Sequence, residues 1–134
     1  KGIETRIIFW QKWQHNIDGF LLYGGSRWRD TNPWEDAAVR SKWPNLYGCG
    51  YLTYPGKPVG MKGPISSIRL ENMRHGIEDH MYLTLVAEHA DKETADEFIR
   101  KLNLDFKNYT RSPDNLEEIR REIGEWLHKN ISQN

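Results

Sequence analysis

Residues 48–88 read GCGYLTYPGKPVGMKGPISSIRLENMRHGIEDHMYLTLVAE, and they carry the strongest local signals in the chain. The aromatic and apolar run at residues 51–54 is typical of a strand, and a Pro-Gly pair ends it. Pro64 then begins a helix predicted over residues 65–88. In α/β folds, ligands bind in the loops that follow the strands. We therefore expect functional side chains in the loop between this strand and the helix.

A second strand is predicted upstream, at residues 20–23. Its four apolar residues stand between glycines, a pattern typical of a strand buried on both faces of a parallel sheet. A short helix is predicted over residues 34–42, between this strand and the one at 50–54. Two strands joined through a helix imply a parallel pair. The two strand-end loops, residues 23–34 and 54–63, are then neighbours.

Apolar residues at helical spacing predict three further helices, over residues 4–17, 92–103 and about 113–131. In the helix at 65–88, Gly76 costs about 1 kcal/mol relative to Ala, so we expect a packing or kink reason for it. The expected buried row of that helix consists of Ile68, Met73, Ile77, Met81 and Leu85.

Composition narrows the class of protein. The chain has 134 residues, 19 basic and 19 acidic side chains, and therefore no net charge that would favour nucleic acid or an anionic membrane. Cys49 is the only cysteine, which excludes an internal disulfide and a cysteine-based zinc site. The histidines lack metal-ligand spacing. We expect no metal, no cofactor, no nucleic-acid partner and no membrane partner.

Aromatic side chains in the two strand-end loops are the candidate ligand-binding residues. Aromatic faces stack on the apolar C–H faces of sugars, although they also pack in protein cores. The predicted substrate-binding residues are Tyr23, Trp28, Trp34 and Tyr54, with Arg69 near the helix start, and hydrogen bonds are expected from Arg27, Arg29, Asp30 and Asn32. Lys57 and Lys62 are available to an acidic substrate.

Carboxylates in the helix at 65–88 allow two interpretations. Glu71 and Asp79 lie two turns apart on one face, which resembles a catalytic pair for glycoside hydrolysis. Alternatively, pairs such as Arg74 and Glu78 are structural ion pairs that attach the helix to its neighbours. We favour the ion pairs, because a helix that follows a strand packs outside the sheet and does not reach the pocket.

The stretch resembles the catalytic domain of glycoside hydrolase family 123. The resemblance rests on Y-P-G at 54–56, P-I-S and R-L-E between 64 and 71, and R-x-G-I-E-D at 74–79. Tyr23 stands where the family pattern has a Trp. The resemblance implies an α/β fold, the C-terminal portion of a (β/α)8 (TIM) barrel: its last two parallel strands with their helices, plus C-terminal helices. A complete barrel takes roughly 250 residues.

The resemblance also implies a domain organisation and an activity. The chain is expected to be a single unit, a C-terminal fragment with a barrel portion at 1–89 and a helical tail at 90–134. Similar enzymes are secreted or periplasmic, serve carbohydrate metabolism and act on N-acetylhexosaminides, β-N-acetylgalactosaminides above all. The substrate's own acetamido group attacks, assisted by an Asp-Glu pair. That pair lies upstream in the family, so this chain has no catalytic residue and is expected to be inactive alone.

Three interpretations stay open. The chain is either part of such an enzyme, with a carbohydrate as its partner in a pocket that the upstream part completes, or a non-catalytic carbohydrate-binding or interaction domain that uses Trp28, Trp34 and Tyr54. A purely structural role for the aromatics is the third reading. Strands separated from a larger sheet expose their edges, so we also expect self-association through those edges.

Overall fold

The computed structural model of the chain describes residues 3–28, 31–36, 50–102 and 105–131. Its elements in order are α1 (Glu4–Gln14), β1 (Thr53–Pro55), a 3-10 turn (Lys57–Val59), β2 (Pro64–Ser66), α2 (Ile68–His89), α3 (Lys92–Arg100) and α4 (Pro113–Ile131). The chain divides into two compact units. The helical unit comprises Lys1–Asp18 and Asn72–Asn134, and the hairpin unit comprises Gly19–Glu71.

The helical unit packs around one apolar core. All four helices contribute to it, and α3 is oriented by its N-cap, because the Asp91 carboxylate accepts the Thr94 N–H at 2.8 Å. The buried side chains include Ile7 and Trp10 of α1, Leu83 and Val86 of α2, Phe98 and Ile99 of α3, and Leu116 and Ile123 of α4.

The buried face of α2 differs from the predicted one. Of the expected row, Ile68, Ile77, Met81 and Leu85 are exposed. The buried residues are Gly76, Asp79, Leu83 and Val86. The prediction was wrong because it counted apolar side chains alone. Gly76 and Asp79 decide which face of α2 is buried, because Gly76 is small and the Asp79 carboxylate bonds residues on two other helices.

Gly76 has the packing reason that the sequence predicts. A Cβ atom at this position would lie 2.6 Å from Cδ2 of Phe9 and 2.8 Å from the carbonyl oxygen of Arg6. The α2 backbone therefore approaches α1 as closely as van der Waals contact permits, and only glycine leaves that space free.

The hairpin unit is built on one antiparallel pair. β1 pairs with β2 in the register Thr53↔Ser66, Tyr54↔Ile65 and Pro55↔Pro64. The connecting loop closes through the Gly56 N–H, which donates to the Gly63 carbonyl at 3.1 Å. Beside β1, on the edge away from β2, Ser26 forms an antiparallel bridge with Tyr51.

Several predicted boundaries change in this unit. Residues 20–23 form no strand, and Leu21 is 90% exposed. Helix α2 begins later than predicted because Pro64–Ser66 is a strand. Residues 33–35 form a turn, and residues 37–42 of the helix predicted over 34–42 lie outside the described residues, as do Arg29, Asp30 and Cys49.

The predicted parallel pair is not present in the part of the chain that the structure describes, where the paired strands are antiparallel. The prediction that the chain forms the last part of a (β/α)8 barrel is not tested by this one pair of strands, and it stays a prediction. The division at residue 89 also stays a prediction.

One histidine in the helical unit, His80, has a lowered pKa. His80 lies edge-on to the Trp13 ring, with centroids 5.3 Å apart, and its Nε2 is 3.4 Å from Nζ of Lys12. Burial, and secondly the Lys12 charge, lower the pKa of His80 below its ordinary 6.5. In the pH range below 6.5 the unfolded chain therefore binds more protons at this site than the folded one.

We expect the free energy of unfolding to fall as the pH drops through about 6.5, and His80→Gln to remove this part of the decrease. Lys12→Met should reduce the decrease without removing it, because burial is the larger cause. Urea unfolding midpoints between about pH 8 and pH 5.5 measure the slope. Equal slopes for wild type and His80→Gln would show that the histidine does not contribute.

Candidate functional site

A β-bulge shapes the start of β1. The N–H groups of Leu52 and Thr53 both donate to the Gly25 carbonyl, at 2.6 and 3.3 Å. Two residues on one strand thus face one residue on the other, which bends the chain and breaks the strict alternation of side chains. As a result Tyr51 and Tyr54 come into contact, with ring centroids 5.4 Å apart at 87°.

Two tryptophans donate hydrogen bonds to the edge of β1 that faces away from β2. In an antiparallel strand alternate residues direct their polar groups to opposite edges, and Thr53 and Pro55 point away from β2. The Trp28 indole donates to the Thr53 carbonyl at 2.7 Å, and the Trp34 indole donates to the Pro55 carbonyl at 2.8 Å. Proline itself has no N–H to leave unpaired.

This edge of β1 is therefore closed to another strand. Covering edge groups in this way is how proteins prevent edge-to-edge pairing. Self-association through strand edges stays a prediction, and it requires an edge other than this one.

An aromatic–arginine cluster, consisting of Trp34, Tyr51, Tyr54 and Arg69, lies on one side of β1. The Trp34 and Tyr54 ring centroids are 4.5 Å apart. The Arg69 guanidinium carbon lies 4.7 Å from the Tyr51 centroid and 5.7 Å from that of Tyr54. Arg69 Nε also donates to the Tyr51 carbonyl at 3.2 Å, so these contacts fix the arginine against the strand.

Burial raises the pKa of one member of the cluster, Tyr51. The Tyr51 side chain is 1% exposed, and its pKa is raised, first by burial and then by the neighbouring Tyr54. The Tyr51 hydroxyl is therefore neutral at physiological pH. Arg69 retains one buried donor, Nη2, for which the described residues offer no acceptor.

A cavity of about 880 Å³ lies in the hairpin unit beside the hairpin loop. Its volume is in the range of small-molecule sites. Its lining is mainly apolar, with two lysines and no Asp or Glu among the described residues. The lining residues are Gly25, Ser26, Trp28, Leu52, Thr53, Pro55, Gly56, Lys57, Met61, Lys62, Gly63, Pro64 and Leu70.

The five predicted binding residues fall in three places. Trp28 lines the cavity. Trp34, Tyr54 and Arg69 lie together in the aromatic–arginine cluster. Tyr23 is 72% exposed, stacks with Arg27 at 4.7 Å and is not among the described lining residues of the cavity. Their role in substrate binding stays a prediction.

Sequence reasoning missed Tyr51 and the apolar lining residues Leu52, Met61 and Leu70. Strand alternation places Tyr51 and Tyr54 on opposite faces, and only the bulge brings them together. Lys57 and Lys62 were a part of the cavity lining that the sequence indicated, as two basic residues in the loop that borders the cavity. Nothing local in the sequence indicates that Leu70, in the first turn of α2, reaches the same cavity.

Two carboxylates of α2, Glu78 and Asp79, form the kind of ion pairs that we favoured, and Glu71 accepts a hydrogen bond from the Ser66 hydroxyl. Asp79 is 1% exposed and bonds Arg6 and Trp10 of α1 and Arg120 of α4. Glu78 pairs with Arg74, which confirms that predicted contact, and with Arg120 at 2.9 Å. The Arg120 hydrogen bond is the main cause that lowers the pKa of Glu78. No histidine pairs with Asp79 in the described network.

Within residues 3–28, 31–36, 50–102 and 105–131, no three His, Cys, Asp or Glu side chains gather into a group suited to a metal ion. Across the same ranges, no helix combines the length and the apolar content that a membrane span requires.

Comparison with known proteins identifies the class. The chain matches the family model described as glycoside hydrolase 123, catalytic domain, over residues 1–86. None of the curated proteins matches it. This is a family of glycoside hydrolases, and membership implies a carbohydrate as the class of substrate. Since the match covers more than half of the sequence, the chain belongs to the glycoside hydrolase family 123 catalytic domains.

The match covers the elements that carry the cavity. It includes α1, the whole hairpin unit and most of α2, and it ends before α3 and α4. Steric space explains why two positions of the matched motifs, Gly56 and Gly76, are glycine. A Cβ on Gly56 would lie 2.2 Å from the Gly63 carbonyl oxygen, and Gly76 lies against α1.

Proposed function

We propose that this chain supplies part of the sugar-binding surface of a glycoside hydrolase that acts on N-acetylhexosaminides, with β-N-acetylgalactosaminide-like substrates. The observation that supports this proposal is the apolar cavity with the Trp28 ring in its wall, formed by the loops that carry the family motif. Aromatic rings and aliphatic side chains suit the C–H faces of a sugar, and a few polar groups orient it.

The proposed chemistry is substrate-assisted hydrolysis with retention. The acetamido oxygen of the substrate attacks the anomeric carbon while a carboxylic acid protonates the departing glycosidic oxygen. Water then opens the cyclic intermediate from the face that the leaving group occupied, so the configuration is retained. We assign the Asp-Glu pair of this reaction to a position outside this chain. The absence of Asp and Glu from the described cavity lining supports that assignment. We also propose that these residues belong to the last part of a (β/α)8 barrel.

A second candidate is a non-catalytic carbohydrate-binding domain. It is favoured by the fact that the described cavity is lined entirely by residues 25–70 of one chain. Both candidates predict sugar binding by the isolated chain, and only the first predicts that binding serves hydrolysis when an Asp-Glu pair is supplied.

We expect the purified chain to bind methyl N-acetyl-β-galactosaminide, and Trp28→Ala to weaken that binding about tenfold or more, since truncating a central aromatic contact commonly has this effect. Chemical-shift titration by NMR measures both affinities. Trp126→Phe is the matched control, because Trp126 packs against the core of the helical unit and should leave binding unchanged.

The same preparations test the catalytic assignment. A chromogenic N-acetylgalactosaminide should stay intact in the presence of the chain. Turnover that survives repurification would contradict the proposal that the Asp-Glu pair lies elsewhere. Equal affinities for wild type and Trp28→Ala would contradict the placement of the sugar in this cavity.

A further inference from the structure

We propose that the cavity of the hairpin unit takes an acidic saccharide, a sugar that carries a carboxylate or a sulfate ester, and that Lys57 and Lys62 bind its anionic group. This inference rests on the proposed carbohydrate function of the same cavity and specifies the class of substrate.

The hairpin loop brings the two lysines together. The Gly56 N–H donates to the Gly63 carbonyl at 3.1 Å, which joins the two ends of the loop. Lys57 directly follows the first of these glycines, and Lys62 directly precedes the second. Both lysines are among the residues that line the cavity, so a ligand there lies beside two basic residues.

The loop backbone is held in one conformation. The Met61 N–H donates to the Gly56 carbonyl at 3.0 Å, and the Gly60 N–H donates to the Lys57 carbonyl at 3.1 Å. Pro58 fixes its own φ within the 3-10 turn, and Gly60 adopts φ 75°, in the left-handed region. A loop closed in this way presents its lysines without first paying the entropy of ordering the backbone.

The two lysine side chains are unpaired in the part of the chain that the structure describes. Neither ammonium group there has an ion pair or a hydrogen bond, and no described carboxylate lines the cavity. The whole sequence carries no net charge, so this is a local feature of one site. An anionic substituent on a ligand in this cavity would be attracted by both positive charges.

The remaining lining selects a sugar over a simple anion. The Trp28 ring and the Leu52 and Met61 side chains present apolar surface that an inorganic anion cannot use. A sugar ring that carries one anionic substituent places C–H groups against that surface and the charge at the lysines. The apolar wall then contacts the sugar ring, and the lysines bind its anionic substituent.

The test compares three N-acetylgalactosamine disaccharides by NMR or calorimetric titration: a neutral one, one with a uronic acid and one with a sulfate ester. We expect at least one acidic disaccharide to bind the wild-type chain about tenfold more tightly than the neutral one at low salt. This advantage should shrink at about 300 mM NaCl, because exposed charges are screened. The two acidic ligands distinguish a carboxylate from a sulfate as the recognised group.

Charge variants locate the effect. Lys57→Gln with Lys62→Gln should abolish the advantage and leave affinity for the neutral disaccharide unchanged, and the corresponding double arginine variant should keep it. Lys107→Gln with Lys129→Gln is the matched control, since both are exposed lysines of the helical unit.

Each remaining outcome overturns a stated claim. Equal affinity for all three disaccharides overturns the acidic class and leaves the proposed carbohydrate function standing. Binding of inorganic sulfate as tight as that of the sulfated sugar overturns the role of the apolar wall. Failure of all three sugars to bind overturns this inference and the proposed function together.

Discussion

Replacing Asp79 with Ala is expected to lower the free energy of unfolding by about 3–5 kcal/mol, because it leaves a buried cation without its partner. The Asp79 carboxylate accepts Arg6 Nε at 2.6 Å and Arg6 Nη2 at 3.1 Å. It also accepts the Trp10 indole at 2.9 Å and Arg120 Nη1 at 3.1 Å. One carboxylate thus satisfies donors from both α1 and α4.

Arg6 is the side chain most affected. It is 4% exposed, and burial alone would lower its pKa, but the hydrogen bonds and charges of Asp79 and Glu117 outweigh burial and raise it. Without Asp79, the described partner that remains is Glu117, whose side chain is 57% exposed. A buried guanidinium with one solvated partner is costly, and the Trp10 N–H is left unpaired as well.

Urea unfolding measures the loss, with circular dichroism as the probe of the helical unit. Glu78→Gln is the matched control: it removes the neighbouring, more exposed carboxylate and should cost at most about 1 kcal/mol. Arg6→Met combined with Asp79→Leu should recover part of the stability, because an apolar pair replaces the Arg6–Asp79 ion pair, while the Trp10 N–H and Arg120 still lose this acceptor. A loss below about 1 kcal/mol for Asp79→Ala would refute the interpretation of Asp79 as the centre of the network.

The helices could be predicted from the sequence because their signals are local. The boundaries of α1 to α4 fall within three residues of those that apolar spacing, proline and capping residues indicate. The buried face of α2 could not be predicted in the same way. It is set by Asp79, whose partners Arg6 and Arg120 are 73 and 41 residues away in sequence.

The strands and the cavity show the same limit. A run of four apolar residues at 20–23 is equally compatible with a strand and with exposed chain, and the structure has the latter. Trp28 was identified as a candidate from its residue type and loop position. Its place in the cavity wall depends on the bulge at Leu52 and Thr53 and on the bond from its indole to the Thr53 carbonyl. Such pairings join distant segments and leave no local pattern.

Gly76→Ala is expected to destabilise the chain by about 2 kcal/mol, although alanine is the better helix former by about 1 kcal/mol. The added Cβ would lie 2.8 Å from the Arg6 carbonyl oxygen and 3.1 Å from Arg6 Cα. These are backbone atoms, so no change of rotamer relieves the contact. The helices must separate, and Arg6 then moves away from Asp79, which adds to the loss.

Gly124→Ala is the matched control, because it makes the same change in α4, where a Cβ would meet nothing within 4 Å. There the helix propensity acts alone, and a gain of about 0.5–1 kcal/mol is expected. Thermal unfolding of the two variants should therefore give shifts of opposite sign relative to wild type. An increase in melting temperature for both variants would mean that α1 and α2 do not approach as closely as the position of Gly76 requires.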